Sequence, residues 1–235
     1  MKNLIASLLG IVLMLQTTCA VARAASKDKD EDRLKDCGAV VREILNVPDD
    51  IPQDLLDKAD CVVVYPSVLK AAFVIGGSYG RGAMTCRKGK DFTGPWGAPT
   101  MMALEGGSFG FQIGGQATDF ILLVMNEGGA RGILAGKVKL GGEASIAAGP
   151  VGRDASAETD VTLRSQILSY SRSRGLFAGI SLEGSTIRPD TKANEQIYEK
   201  HLEAKEIVLS DQVRVPAAAE QLVSTLDAKT AHHKP

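Results

Sequence analysis

Histidine is nearly missing from this chain: 235 residues carry three, His201, His232 and His233, all in the last quarter. Hydrolytic and acyl-transfer chemistry needs a base held beside a nucleophile. The glycine-rich middle has no histidine to serve as one. No nucleophile elbow is read either. GGSYGRG and GGSFGFQIGG sit in sheet-like alternation with no helix clearly following, which removes a dinucleotide-binding reading. Cysteine is sparse. Cys37, Cys61 and Cys86 are spaced by 24 and 25 residues, with no CxxC, and match no zinc pattern. Carboxylates in the middle are few: Glu105, Asp119, Glu143, Asp154 and Glu183. Nothing in their spacing makes a glycosidase-like pair converge, so solvated or salt-bridged surface acids are the expectation. GGARGILAGKV approaches a phosphate-binding loop, but Arg131 stands where its first glycine belongs and Val138 follows Lys137. The reading is therefore no enzyme, no metal and no cofactor. A net charge of −1 argues against the basic footprint that bulk nucleic-acid binding requires.

Long apolar runs are also lacking, with one exception at the start. Met1-Lys2, the apolar stretch Leu4 to Leu15, and the small residues of Ala22-Arg23-Ala24 read as an export signal over residues 1–24, cleaved before Ala25. Lipidation at Cys19 is less favoured, since Gln16-Thr17-Thr18 is polar where a lipobox is apolar and small. The expected product is periplasmic or secreted and soluble or peripheral on a membrane. Residues 25–31 read as a linker, 32–228 as a single domain and 229–235 as a disordered tail. In an oxidising compartment the expected disulfide is Cys61 with Cys86, each at the outer end of an apolar run, although spacing alone does not fix connectivity. Cys37 is left over, buried on a helix.

Within the domain, Leu34, Cys37, Val40, Val41, Ile44 and Leu45 recur at helical spacing over Asp32–Asn46, and a short helix follows over Pro52–Lys58. The texture then changes. CVVVY and FILLVM read as strands buried on both faces. Val138, Leu140, Ala144 and Ile146 alternate with polar residues like a half-exposed strand. Of 25 glycines, 23 fall between Gly76 and Gly184. Each would cost a helix interior about 0.5–1 kcal/mol, and no strict period supports a solenoid. A sheet that bends sharply accommodates them. Helical patterning returns over Asn194–Ala204 and in the stripe Val215, Ala219, Leu222, Val223, Leu226. The fold class read from this layout is α+β: a curled, glycine-rich, mostly antiparallel sheet, barrel- or sandwich-like, flanked by N- and C-terminal helices.

Basic residues cluster near the glycine-rich strands: Lys70, Arg81, Lys137, Lys139, Arg172 and Arg174. They have two readings. Arginine forks and lysine point charges, helped by backbone N–H groups, suit a phosphate. The same residues also suit a solvated strand edge, where lysine discourages edge pairing. In SRSRGLFAGISLEGS, Arg172 and Arg174 precede a strand whose Leu176, Ala178, Ile180 and Leu182 would share a face.

CVVVYPSVLKAAFVIGGSYGRGAMTCR, Trp96 in GPWGAP, GGSFGFQIGGQATDFILLVMN, KVKLGGEASIAAGPVGR and LSYSRSRGLFAGISLEGSTI, followed by Asn194 and Tyr198, resemble the SYLF family in content and order. The resemblance covers about Asp32 to Leu226. It implies a non-enzymatic lipid-binding domain that recognises anionic, phosphoinositide-like phospholipid head groups at a membrane surface. Some fungal relatives also engage actin, and bacterial relatives are exported. Here an export signal stands where eukaryotic relatives can carry a membrane-binding helix. Alternatives are an envelope scaffold that docks a protein without a lipid role, and an unrecognised hydrolase.

Overall fold

The computed structural model describes residues 24–46, 51–72, 75–89, 91–109, 114–151, 164–173 and 176–230. The expected export signal up to Arg23 with Cys19, as well as Asp154, Arg174 and the tail from residue 231, lie outside them. CVVVY begins β1 (Cys61–Ala72), and its unbroken apolar character has a packing cause. Cys61, Val63 and Tyr65 enter one buried cluster, while Val62 and Val64 enter another on the opposite face. A strand covered on both faces has no polar side. The next strands are β2 (Ile75–Cys86), β3 (Thr100–Phe109) and β4 (Gly114–Val124). In β4, Phe120 and Leu122 join the first cluster and Ile121 and Leu123 the second. β1, β2 and β3 pair in succession, and β4 returns beside β1 in a Greek-key order. Small residues meet near the far ends of these strands: Gly77 faces Ala71 and Gly107, and Ala72 faces Gly76 and Gly114.

β5 (Val138–Lys139), β6 (Ile146–Ala148), β7 (Ile167–Ser173), β8 (Leu176–Gly179) and β9 (Thr186–Pro189) complete the sheet. The order is β5-β9-β3-β2-β1-β4-β7-β6, with β8 also on β7, and only the β6–β7 pairing of named strands is parallel. β5 and β6 therefore hold opposite edges. Seven strand spacings of about 4.8 Å would separate them by about 34 Å in a flat sheet. The seven residue steps from Lys139 to Ile146 reach at most about 25 Å. The sheet has to curl. The single half-exposed strand predicted across this stretch is divided by a turn over residues 141–143, where Gly141 has φ of 81°. Val138, Leu140, Ala144 and Ile146 are still all buried in one cluster, so the alternation gave the correct faces but not the break.

Helices cover both faces. α1 spans residues 24–44 and α2 is Gln53–Lys58. α3 (Glu127–Ala135) is capped by Asn126, whose side chain accepts the Gly129 N–H at 2.9 Å. Next come α4 (Thr191–Tyr198), α5 (Ala204–Leu209), a 3-10 turn and α6 (Glu220–Lys229). α3 and α5 pack on one sheet face, and α1, α2, α4 and α6 on the other. Residues 25–31, expected as a linker, form the first turns of α1. Ser26 Oγ donates to Gln196 at 3.0 Å, Lys27 pairs with Glu199, and Asp30 is buried between Arg33 and Arg81. These are tertiary contacts that local patterning does not reveal. The helix expected over Asn194–Ala204 is two helices, broken after Tyr198, where Glu199 has φ of 55°. The strand read through GLFAGISLEG stops at Gly179, where Gly149 crosses so closely that a Cβ would lie 2.1 Å from its carbonyl oxygen. Leu182 is core and Ala178 is exposed, so they do not share an environment. Cys61 and Cys86, paired across β1 and β2, form a disulfide, and Cys37 is a buried free thiol on α1.

Candidate functional site: a basic and apolar shelf

The structure separates the six basic residues singled out from the sequence. Arg81, on β2, faces α1. Its Nη2 lies 2.7 Å from Asp190 Oδ2 and 3.3 Å from Asp30 Oδ1, and its Nε donates to Asp190 at 2.8 Å. Asp190 also caps α4 by accepting the Ala193 N–H. Arg172, on β7 and on the same face, pairs with Glu43 near the end of α1 and lies 3.4 Å from Asp119. Asp119 in turn accepts the N–H of Ser67 at 2.9 Å, in the β1 bulge, where Ser67 has φ of 53°. Each arginine thus joins one carboxylate of α1 to one fixed carboxylate, and together they fasten both ends of that helix. Lys70 lies in β1 opposite Ser78 and Gln116, with its side chain outside what the structure describes. Arg174 lies outside the described residues.

Lys137 and Lys139 stand elsewhere. Val138 is buried with Ile187 and Leu104 of the neighbouring strands, so alternation turns Lys139 to the opposite face. Both lysines are exposed and neither has an ion pair among the described residues. Pairing runs from Lys139 to Thr186, Glu105, Tyr79 and Leu69 across five strands. Directly paired residues share a face, so these five form one row. Leu69 and Tyr79 are 63% and 50% exposed, the most exposed large apolar side chains among the described residues. Arg188, two residues after Thr186, reaches back into the row: its Nη2 and Nε donate to one oxygen of Glu105, at 2.8 and 3.1 Å. That hydrogen bond holds the Arg188 guanidinium above its usual value. Lys139, Arg188 and one carboxylate thus share this face with an exposed tyrosine and leucine, and Lys137 lies two residues before Lys139. Sequence reasoning missed Arg188, Tyr79 and Leu69 because strand register makes the row, and register is not a local pattern.

The serines of the two GGS motifs, Ser78 and Ser108, lie inside paired strands β2 and β3 rather than on strand-to-helix turns. No group of three metal-ligating side chains occurs among the described residues. A groove of about 720 Å³ between α4, α5 and the segment before the 3-10 turn mixes Lys200 and Arg214 with Glu199 and Glu206, without one dominant charge.

The class of protein defined here is a curled α+β sheet with helices on both faces and a basic, partly apolar shelf on one of them. The chain belongs to the Ysc84 family, described as "Las17-binding protein actin regulator", whose profile matches residues 105–229. The SYLF resemblance points to this same family. The chain is 37% identical over 191 residues to the SH3 domain-containing protein PJ696.02 of Schizosaccharomyces pombe, covering 80% of this chain and 43% of that protein. It is 37% identical over 182 residues to protein YSC84 of Saccharomyces cerevisiae, covering 76% and 38%. It is 34% identical over 193 residues to the human SH3 domain-containing YSC84-like protein 1, covering 80% and 54%. The chain therefore spans about two-fifths to a half of the curated relatives it matches.

Proposed function

We propose that this domain binds anionic phospholipid surfaces peripherally, without catalysis, through the shelf of Lys137, Lys139, Arg188, Tyr79 and Leu69. One observation carries the reading: Lys139, which has no ion pair among the described residues, lies on one row of one sheet face with the exposed Tyr79 and Leu69. Lysine near an anionic surface is worth about 1 kcal/mol, and the tyrosine and leucine add apolar contact that a phosphate ion would not use. Arg172 is left out of this surface because Glu43 and Asp119 occupy it. The export signal read over residues 1–24 supports placing this surface at a membrane outside the cytoplasm.

Sedimentation with neutral and anionic vesicles tests the reading. Binding is expected to need the anionic lipid and to weaken with salt as the screening length shortens. Lys137→Ala with Lys139→Ala should weaken it about thirtyfold, the sum of two lysines at about 1 kcal/mol each. Equal binding to both vesicle types, or to neither, sinks the proposal. The family description and the relatives' names favour a second reading, a protein partner of the actin machinery at the same shelf. Co-sedimentation with actin filaments in the absence of lipid separates the two.

A further inference from the structure

Resting on the lipid-surface reading, we infer that Glu105 is a built-in competitor for Arg188, and that a lipid head-group phosphate takes its place when the shelf meets a membrane. The Nε and Nη2 of a guanidinium are two parallel donors matched to two acceptor oxygens. Here both converge on one oxygen of Glu105, so the second carboxylate oxygen takes no bond from this edge and the parallel two-oxygen match is not made. A phosphate offers two oxygens to the same edge. The pair is also open to exchange: the Arg188 and Glu105 side chains are 40% and 41% exposed. This sets it apart from Arg81, which is held by a second acid, Asp30, that is 1% exposed. Glu105 lies between Thr186 and Tyr79 in the paired row, so its carboxylate faces the incoming head group beside the apolar contacts. With Glu105 on Arg188 the shelf displays two cations without an ion pair among the described residues, and with Glu105 displaced it displays a third.

The test is vesicle sedimentation of the full chain with Glu105→Gln, Arg188→Ala, the two combined, and Glu183→Gln as an equal charge change at an exposed acid. Thermal unfolding confirms that each variant is folded. Glu105→Gln is expected to tighten binding to anionic vesicles by up to about fivefold, the range an exposed ion pair commands. Glu183→Gln should change it less, and Arg188→Ala should weaken it. The double variant should match Arg188→Ala alone. A gain from Glu105→Gln that persists without Arg188, or one equalled by Glu183→Gln, overturns the exchange as a mere charge effect. No gain, while Lys137→Ala with Lys139→Ala weakens binding as expected, overturns the exchange and leaves the surface reading intact. If the lysine pair has no effect, both fall. Inorganic phosphate at matched ionic strength should not compete. Competition by it that Glu105→Gln strengthens would overturn the head group as the exchanging partner.

Discussion

Asp30 shows how much a single residue decides. It falls in a stretch that reads as a linker by sequence, yet it is 1% exposed and rests on Arg33 and Arg81. Arg81→Ala leaves this carboxylate one cation short in a buried place, and about 2–3 kcal/mol of stability should be lost in urea unfolding. Arg172→Ala should cost under about 1 kcal/mol, because its partner Glu43 is 53% exposed. Both arginines were legible as basic residues beside glycine-rich strands. Their partners were not, because Asp30 and Glu43 belong to a helix that local patterning cannot place against β2 and β7. His201 gives a signed pH effect. The hydrogen bond that the His201 ring donates to the Glu195 carboxylate raises its pKa above the ordinary 6.5. Its contribution is therefore complete below about pH 6.5 and is lost as pH rises through the folded value. Proton NMR titration should show the raised value, and Glu195→Gln should return it to the ordinary range.

At the level of elements, α1 and the β1–β2 hairpin are each fastened by one testable device. The Cys37 thiol is buried under α1, and burial pushes its pKa up to about 12. A thiol reagent should leave it unreacted in the native protein and modify it at the rate at which α1 opens. The Cys61–Cys86 disulfide joins positions 25 residues apart. Replacing both cysteines with alanine should cost about 3 kcal/mol, read as a lower urea midpoint. The sequence showed both apolar runs that the disulfide closes, and the apolar stripe of α1. It did not show where α1 begins, because its first turns are held by Gln196, Glu199 and Arg81 rather than by apolar spacing.

For the molecule as a whole, curvature is the property that glycine density foretold. Gly82 makes the reason specific: a Cβ there would lie 1.8 Å from the Val64 carbonyl oxygen. Gly149 is similar, with a Cβ falling 2.0 Å from the Tyr170 ring. Alanine at either position should cost about 3 kcal/mol or prevent folding, as thermal unfolding would show. What the sequence hid at this scale was the shelf. Lys139, Thr186, Glu105, Tyr79 and Leu69 come from five separate strands, and nothing short of the pairing register brings them into line.

The span between β5 and β6 works like the string of a bow. Its length, rather than the strength of any one contact, limits how far the two edges of the sheet can spring apart. A longer string, made by inserting glycine and serine residues beside Gly142, would let the limbs relax outward and carry Lys137 and Lys139 away from Tyr79. The strands should survive, with circular dichroism unchanged, while anionic vesicles are held less tightly.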